Sequence, residues 1–276
     1  MTPGRQFCAI SLLLLAAGAH LPAAAGCSRP IIVPASATGQ SVTINGAQVG
    51  GMIPDMINQL GVKIGCTFHW SPVPRQRLES MFIAGSADLM VAATQVERRD
   101  QAGVFVPVVE ARPTLISVDF NRPSIHSVAD LLERRQLRVA LVRGYDYGPA
   151  YQQMIKTLTS QGRLYLEPDV RTVARMLADA MADVTIMPAS GFIGALPGDA
   201  RIEGLAGKLR IEPLDELPWI PTGIYLSKTS LTEADRTLLQ RALVASVNSG
   251  VWWQAFKRYY PSAVLIDNTR PIEAAR

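Results

Sequence analysis

The sequence predicts an α/β protein built as two lobes, each a mostly parallel sheet flanked by helices, and three observations carry that prediction. Short apolar runs of strand type alternate with segments of helical period over residues 30–94 and again over 127–187. That order implies parallel strands joined by right-handed crossovers. Two segments echo one another, MFIAGSADL at 81–89 and MLADAMADV at 176–184, both at an offset of 95 residues. Each is a helix that ends in small residues and feeds Ala-Asp into an apolar strand, at the same place in successive units. The stretch from Trp219 onward starts no third unit.

In the first unit, Ile31-Ile32-Val33 is a buried-strand run. Asn45-Gly46, between Val42-Thr43-Ile44 and Ala47-Gln48-Val49, is a strong hairpin signal. Ile53, Met56, Ile57, Leu60 and Ile64 recur at helical spacing and are closed by Gly65. Residues 66–70 read as the next strand, Leu78, Met81 and Phe82 mark a second helix, and 89–92 is a third strand. In the second unit, Ser127 and Asp130 form a cap before Leu131-Leu132. A strand at 139–142 ends at Arg143-Gly144, and Met154, Ile155 and Leu158 share a helix face. A strand at 164–166, a helix carrying Val170, Val173, Met176 and Leu177, and a strand at 184–187 follow. Near the end, 223–226 is a strand and Ser230-Leu231-Thr232-Glu233 reads as a capping box. Its helix carries Leu238, Leu239, Ala242, Leu243 and Val247 and ends at Asn248-Ser249-Gly250, and a last helix through Trp252, Trp253 and Phe256 stops before Pro261.

The first 25 residues have the anatomy of an export signal: Arg5, an apolar stretch over 7–19, and Ala23-Ala24-Ala25 as the cleavage motif. Cleavage there discards Cys8 and leaves Cys27 and Cys66, an even pair that suggests a disulfide in an oxidising compartment. Cys27 precedes the first strand and Cys66 opens the second, and parallel neighbours begin at the same sheet edge, so a bridge is geometrically natural. The alternative is a lipid tether at Cys27. It requires Ala24 in the attachment box where a larger aliphatic residue ordinarily stands, and it leaves Cys66 as a free thiol.

About 250 residues then remain, enough for one large domain or two ordinary lobes. The charge of +4 falls to +3 once Arg5 is removed, and the basic residues are scattered. No nucleic-acid partner is expected from such a pattern. No metal or other cofactor is expected either, because His69 and His126 lack neighbours at ligand spacing. The sequence contains no nucleophile elbow, no Cys-His pair and no glycine-rich phosphate loop. Asp88 and Asp183 open strands in their respective lobes, which points to structural roles.

The stretches GMIPD at 51–55, SADLMVAATQVERR at 86–99, VALVRGYD at 139–146 and SGVWWQAFKRYYP at 249–261 resemble, in that order, extracellular solute-binding proteins of family 3, the periplasmic receptors of polar amino-acid ABC transporters. The resemblance covers essentially the whole chain after the signal. It implies the type 2 periplasmic-binding-protein fold, with residues 28–116 and 219–276 as lobe 1 and 117–218 as lobe 2. It also implies a monomer that captures a small, carboxylate-bearing solute between its lobes and delivers it to an ABC permease. A ligand-sensing module for a membrane sensor is the alternative, and an enzyme on the same fold is a further one.

The resemblance also nominates site residues. In amino-acid-binding members an arginine in a pattern like Thr-x-Thr-Pro-Glu-Arg clamps the ligand carboxylate. Here that region is Thr94-Gln95-Val96-Glu97-Arg98-Arg99, with Arg99 the closest match and Arg98 its neighbour. A guanidinium suits the role because it makes two parallel charge-assisted hydrogen bonds to a carboxylate. The alternative is a solvated loop arginine. Arg75 stands where many relatives place an aromatic clamp, which favours an anionic ligand, unless it merely starts a surface helix. Gly144-Tyr145-Asp146 opens the helix after the first strand of the second lobe, where free N–H groups can receive an anion. One departure bears on specificity: the position that often carries a carboxylate for the ligand α-amino group is Pro188. An ordinary α-amino acid is therefore in doubt, and a carboxylate without the amine becomes a rival.

Overall fold

The computed structural model describes residues 26–118 and 121–272. The expected export signal lies outside the described residues. In the first lobe the chain forms β1 (Ile31–Ala35), a hairpin of β2 (Thr43–Asn45) and β3 (Gln48–Gly50), α1 (Met52–Ile64), β4 (Phe68–Pro72), α2 (Arg75–Ile83), β5 (Leu89–Thr94), α3 (Glu97–Ala102) and β6 (Gly103–Ala111). The second lobe contains β7 (Thr114–Ser117), α4 (Val128–Glu133), β8 (Val139–Val142), α5 (Pro149–Ser160), β9 (Leu164–Glu167), α6 (Val170–Ala178), β10 (Val184–Met187), α7 (Ala189–Ala195), a 3-10 turn at Glu203–Lys208 and β11 (Arg210–Pro213). The chain then returns as β12 (Ile220–Ser227), α8 (Glu233–Asn248), α9 (Val251–Tyr259), α10 (Ser262–Leu265) and β13 (Thr269–Pro271).

Each lobe has its own buried core. Leu115, Leu141, Tyr151, Val173 and Ile186 belong to one apolar cluster. Ile31, Ile57, Val91, Leu243 and Trp252 belong to the other. The C-terminal return thus completes the first lobe, with β12 inserted between β5 and β6. The tryptophan pair serves packing, as Trp252 is buried against this core and Trp253 packs at its margin.

Each lobe combines parallel and antiparallel pairs. β1 pairs with β4, and β8 with β9 and β10, in parallel, as the alternating pattern implies. In the first lobe β12 runs antiparallel to both β5 and β6, and β13 antiparallel to β6. In the second, β7 runs antiparallel to β10 and β11. β6 carries only a weak strand signal in the sequence because Pro107 interrupts its Val-rich run, and a proline is disfavoured inside a sheet. The ladder accommodates it by a register shift between Thr222 and Gly223, with Gly223 opposite Pro107. A β-carbon on Gly223 would come within 2.0 Å of the Val106 carbonyl oxygen, so glycine is required at that close approach.

Local signals explain most element ends. Gly65 closes α1 in the left-handed region at φ 71°, and the Ser127 hydroxyl caps α4 by accepting from the Asp130 N–H. The cap of α8 is Thr232, which accepts from the Asp235 N–H. Ser230, read as the start of a capping box, instead donates to the Ala87 carbonyl and braces the strand edge.

Cys27 and Cys66 form a disulfide with a Cα–Cα distance of 4.9 Å, across 39 residues of sequence. The Cys27 sulfur is thereby engaged and is not free for the thioether of a lipid tether. The chain passes Gly26 against Gly65 there, and a β-carbon on Gly26 would lie 2.2 Å from the Gly65 carbonyl oxygen.

The sequence echo has a common structural basis. Asp88 exchanges backbone contacts with Ile32: its N–H donates to the Ile32 carbonyl at 2.9 Å, and its carboxylate accepts from the Ile32 N–H at 2.8 Å. Arg29 grips the same carboxylate with both terminal nitrogens, at 2.6 and 2.8 Å. Asp183 does the same to Arg138, donating to its carbonyl at 2.9 Å and accepting from its N–H at 2.6 Å and from its guanidinium. Each aspartate therefore locks the start of one strand to the start of its neighbour. Burial alone would raise the Asp88 carboxyl, but the Arg29 fork and the Ile32 N–H outweigh it and hold the group below the usual carboxylate range. Asp88→Ala should cost about 1–3 kcal/mol by leaving the Ile32 N–H unpaired. Asp183→Ala should cost less, because its side chain is 31% exposed against 1% for Asp88. Urea melts of the two variants check the ranking.

Candidate functional site

Between the lobes lies a cavity of about 90 Å³, walled from the first lobe by Arg75, Ala92, Thr94 and Val109 and from the second by Tyr145, Asp146, Met187 and Pro188. The space is lined from both lobes and suits a small solute. A second cavity on the other side of Arg75 and Tyr145 reaches Asp169, Arg171 and Arg175. Those three are committed elsewhere: Asp169 caps α6, Arg171 donates to the Ala195 and Pro197 carbonyls, and Arg175 pairs with Asp199.

Arg75, the first residue of α2, is the cation of the shared wall. It is only 5% exposed, so the surface-helix alternative is excluded. Its guanidinium has one long hydrogen bond, 3.4 Å to the Val91 carbonyl, and lies 5.7 Å from the centre of the Tyr145 ring. Its Nε has no partner, and among the described residues no carboxylate lies within ion-pair distance of it. Burial, and next the positive charge of Arg99, push its pKa down to about 10, so it stays cationic at neutral pH.

A β-bulge in β5 shapes the wall beside it. β12 residues Gly223 and Tyr225 face Ala93 and Met90, which leaves Val91 and Ala92 opposite one residue. Ala92 sits in the left-handed region at φ 49°, where a non-glycine residue costs about 1–2 kcal/mol. The bulge presents Ala92 to the cavity and turns the Val91 carbonyl toward Arg75, and bulges recur beside sites for this purpose.

The residues nominated from the sequence divide into two groups. Arg75, Thr94, Tyr145 and Asp146 meet at the cavity. Gln95, Arg98, Arg99 and Gly144 do not line it. Arg99, nominated as the carboxylate clamp, is fully buried behind Thr94. It donates to the Thr94 carbonyl and hydroxyl at 3.0 Å each and pairs with Glu79 at 2.7 Å, so it is neither solvated nor presented to a ligand here. Arg98 bridges the lobes, pairing with Glu79 at 2.5 Å and with Asp146 at 2.7 Å. Gln95 turns to Asp100 on the exposed side.

Gly144 is a close approach: at φ 86°, a β-carbon there would lie 3.1 Å from the backbone of Gln76 in the other lobe. The helix after β8 opens later than expected, at Pro149 with Gly148 as its N-cap. Residues 144–146 are therefore a loop, and their N–H groups do not form a helix N-terminus. The Tyr145 and Tyr147 rings pack edge to face, 6.0 Å between centres, and Tyr147 meets Tyr151 likewise. Burial raises all three phenol pKa values, which keeps them neutral.

Several bonds tie the lobes across this site. The Thr94 hydroxyl donates to the Asp146 carbonyl at 2.6 Å, Gln40 donates to the Gly194 carbonyl at 3.2 Å, and the Ser190 and Thr269 hydroxyls lie 3.1 Å apart. Ser190, Thr269, Thr38 and Phe256 line the cavity without having been singled out in the sequence. Ser190 sits on the seven-residue α7, which follows Pro188 and is too short for a periodic signal.

For Glu79, burial is outweighed by the hydrogen bonds and charges of Arg98 and Arg99, and its pKa falls below the ordinary value. A carboxylate depressed on folding contributes stability that is present above its unfolded pKa, about 4.3, and is lost as pH falls through the folded value. The protein should therefore hold its stability from neutral pH down to about pH 5 and lose it below about pH 4. Glu79→Gln should flatten that acid limb, as read by denaturant midpoints across pH.

No protein-family model matches the chain, and no curated protein matches it by sequence. Solved structures do match in fold. An ancestral arginine-binding protein bound to arginine superposes with a TM-score of 0.67 at 16% identity, over 84% of this chain and 98% of that one. An amino-acid ABC transporter substrate-binding protein from Streptococcus pneumoniae bound to L-arginine gives 0.67 at 15%, over 85% and 96%. A histidine kinase sensor domain with similarity to periplasmic binding proteins gives 0.66 at 16%, over 84% and 96%. The chain thus has the two-lobed fold of periplasmic binding proteins.

Proposed function

We propose that this protein is an exported solute receptor that captures a small carboxylate-bearing molecule between its lobes. The observation that carries the reading is Arg75: a guanidinium buried in the interlobe wall with no carboxylate partner and an unsatisfied Nε. An unpaired buried cation costs several kcal/mol, and a ligand carboxylate would offset it by the bidentate geometry a guanidinium favours. We assign the anchoring role to Arg75, with Thr94, Tyr145 and Asp146 shaping the cavity and Arg98 and Arg99 bracing it through Glu79. On this reading ligand capture and lobe closure are one equilibrium, because a solute touching both walls favours the closed state.

We keep the expected division into residues 28–116 with 219–276 and residues 117–218, except that the first crossing falls between β6 and β7, since β7 (Thr114–Ser117) pairs within the second sheet. Export would follow from the signal at residues 1–25, and membership of solute-binding family 3 from the motifs. The closed form would be read as a monomer by an ABC permease. A membrane sensor is the second reading, favoured by the match to a kinase sensor domain. Neither reading assigns a catalytic step to these residues.

The test is a thermal-shift screen of the protein against amino acids, other carboxylates, amines and sugars. A ligand that binds only the native state must raise the melting temperature. A shift confined to carboxylate-bearing solutes is expected. Shifts by amines or sugars alone would sink the proposal.

A further inference from the structure

The cavity holds an uneven set of charges, and the imbalance decides which carboxylates it can accept. Arg75 is the unpaired cation. Asp146 is the carboxylate of the lining, and both of its oxygens are taken: one accepts from the Gly148 N–H at 2.9 Å, the other from Arg98 at 2.7 Å. Most of the lining hydroxyls are also engaged, the buried hydroxyl of Tyr145 being without a partner. Thr94 donates to the Asp146 carbonyl and accepts from Arg99, Ser41 bonds the Tyr260 hydroxyl at 2.8 Å, Thr38 donates to the Ser36 carbonyl at 3.1 Å, and Ser190 and Thr269 pair with each other. The remaining wall is apolar, with Ile53, Val109, Ala111, Met187, Pro188 and Phe256.

We infer that this cavity selects small apolar monocarboxylates and rejects α-amino acids of the same shape. The inference rests on the receptor reading above and specifies its ligand class. A small monocarboxylate places its charge on Arg75 and its body against the apolar wall. An amino acid brings a second charge, an ammonium, into a space where the charge of the lining carboxylate is already paired with Arg98 and where Pro188 supplies no acid. A buried ammonium without a counter-charge is rejected by its desolvation, so specificity arises from a missing acceptor as much as from the anchor present.

The experiment is a calorimetric titration of the purified protein with isovalerate and with L-valine, which differ only by the α-amino group, and with isobutylamine, which lacks the carboxylate. The same titrations are run on Arg75→Met. Isovalerate is expected to bind saturably below about 1 mM, with valine weaker by on the order of 100-fold or more and isobutylamine silent. Valine binding as tightly as isovalerate, with both lost in Arg75→Met, would overturn the selectivity and leave the carboxylate receptor standing. Binding of isobutylamine alone, or of none of the three, would overturn both.

Discussion

Arg75→Met is expected to raise the melting temperature of the ligand-free protein while weakening carboxylate binding by two to three orders of magnitude. The two effects have one cause. In the free protein the guanidinium is buried without an ion-pair partner, so its desolvation is offset only in part, by a long bond to Val91, the face of Tyr145 and the more distant charge of Glu79. Methionine keeps much of the stem and removes the charge. A gain of about 1–2 kcal/mol is expected, since replacing buried charges by apolar residues of similar volume is often stabilising. For a chain of this size that is roughly 3–6 °C. Removing one member of a buried charge pair in a complex costs about 2–5 kcal/mol, hence the loss of affinity. A purely structural arginine would show the opposite sign in the melt, as Arg99 should: Arg99→Ala strips Glu79 of one of its two partners and empties a fully buried position. Melts of the two variants side by side, with and without solute, separate anchor from brace.

The second large effect concerns the Cys27–Cys66 bridge. It closes 39 residues of sequence that include β1, the hairpin and all of α1. By the chain-entropy account such a loop is worth about 4 kcal/mol, and removing a native disulfide typically costs 2–5. The double variant Cys27→Ser, Cys66→Ser should therefore lose about 2–4 kcal/mol, read as a lower urea midpoint, and reduction of the parent should reproduce the loss. Ligand affinity should be unchanged, because neither cysteine lines the cavity. Equal midpoints for parent and variant, or an intact mass carrying an acyl group on Cys27, would contradict this.

The architecture was legible where short-range physics decides it. The α1 stripe ending at Gly65, the Asn45-Gly46 hairpin and the repeated Ala-Asp all reappear with the structural roles their chemistry implies. Strand pairing was not legible where it depends on distant partners. β6 hides its run behind Pro107, and only the shift opposite Gly223 makes that proline tolerable. The site shows the same division. Of the motif at 94–99 only Thr94 lines the cavity, and which arginine faces the cleft is decided by Glu79, which lies 20 residues from Arg99 in sequence and claims both Arg98 and Arg99. Arg75 has no ion pair because Glu79, one turn along the same helix, is claimed by Arg98 and Arg99, and that competition leaves no mark in a sequence. Likewise, Gly144 marks a close contact with Gln76, whereas the helix that its glycine suggested begins only after Gly148.

The most direct measurement is a crystal structure of the protein with the carboxylate that gives the largest thermal shift. The account predicts the carboxylate seated on the Arg75 guanidinium at about 2.7–2.9 Å, enclosed between Thr94 and Tyr145, with the Arg99–Glu79 pair intact behind it. A ligand held by Arg98 or Arg99 instead, or bound outside the interlobe cavity, would contradict it.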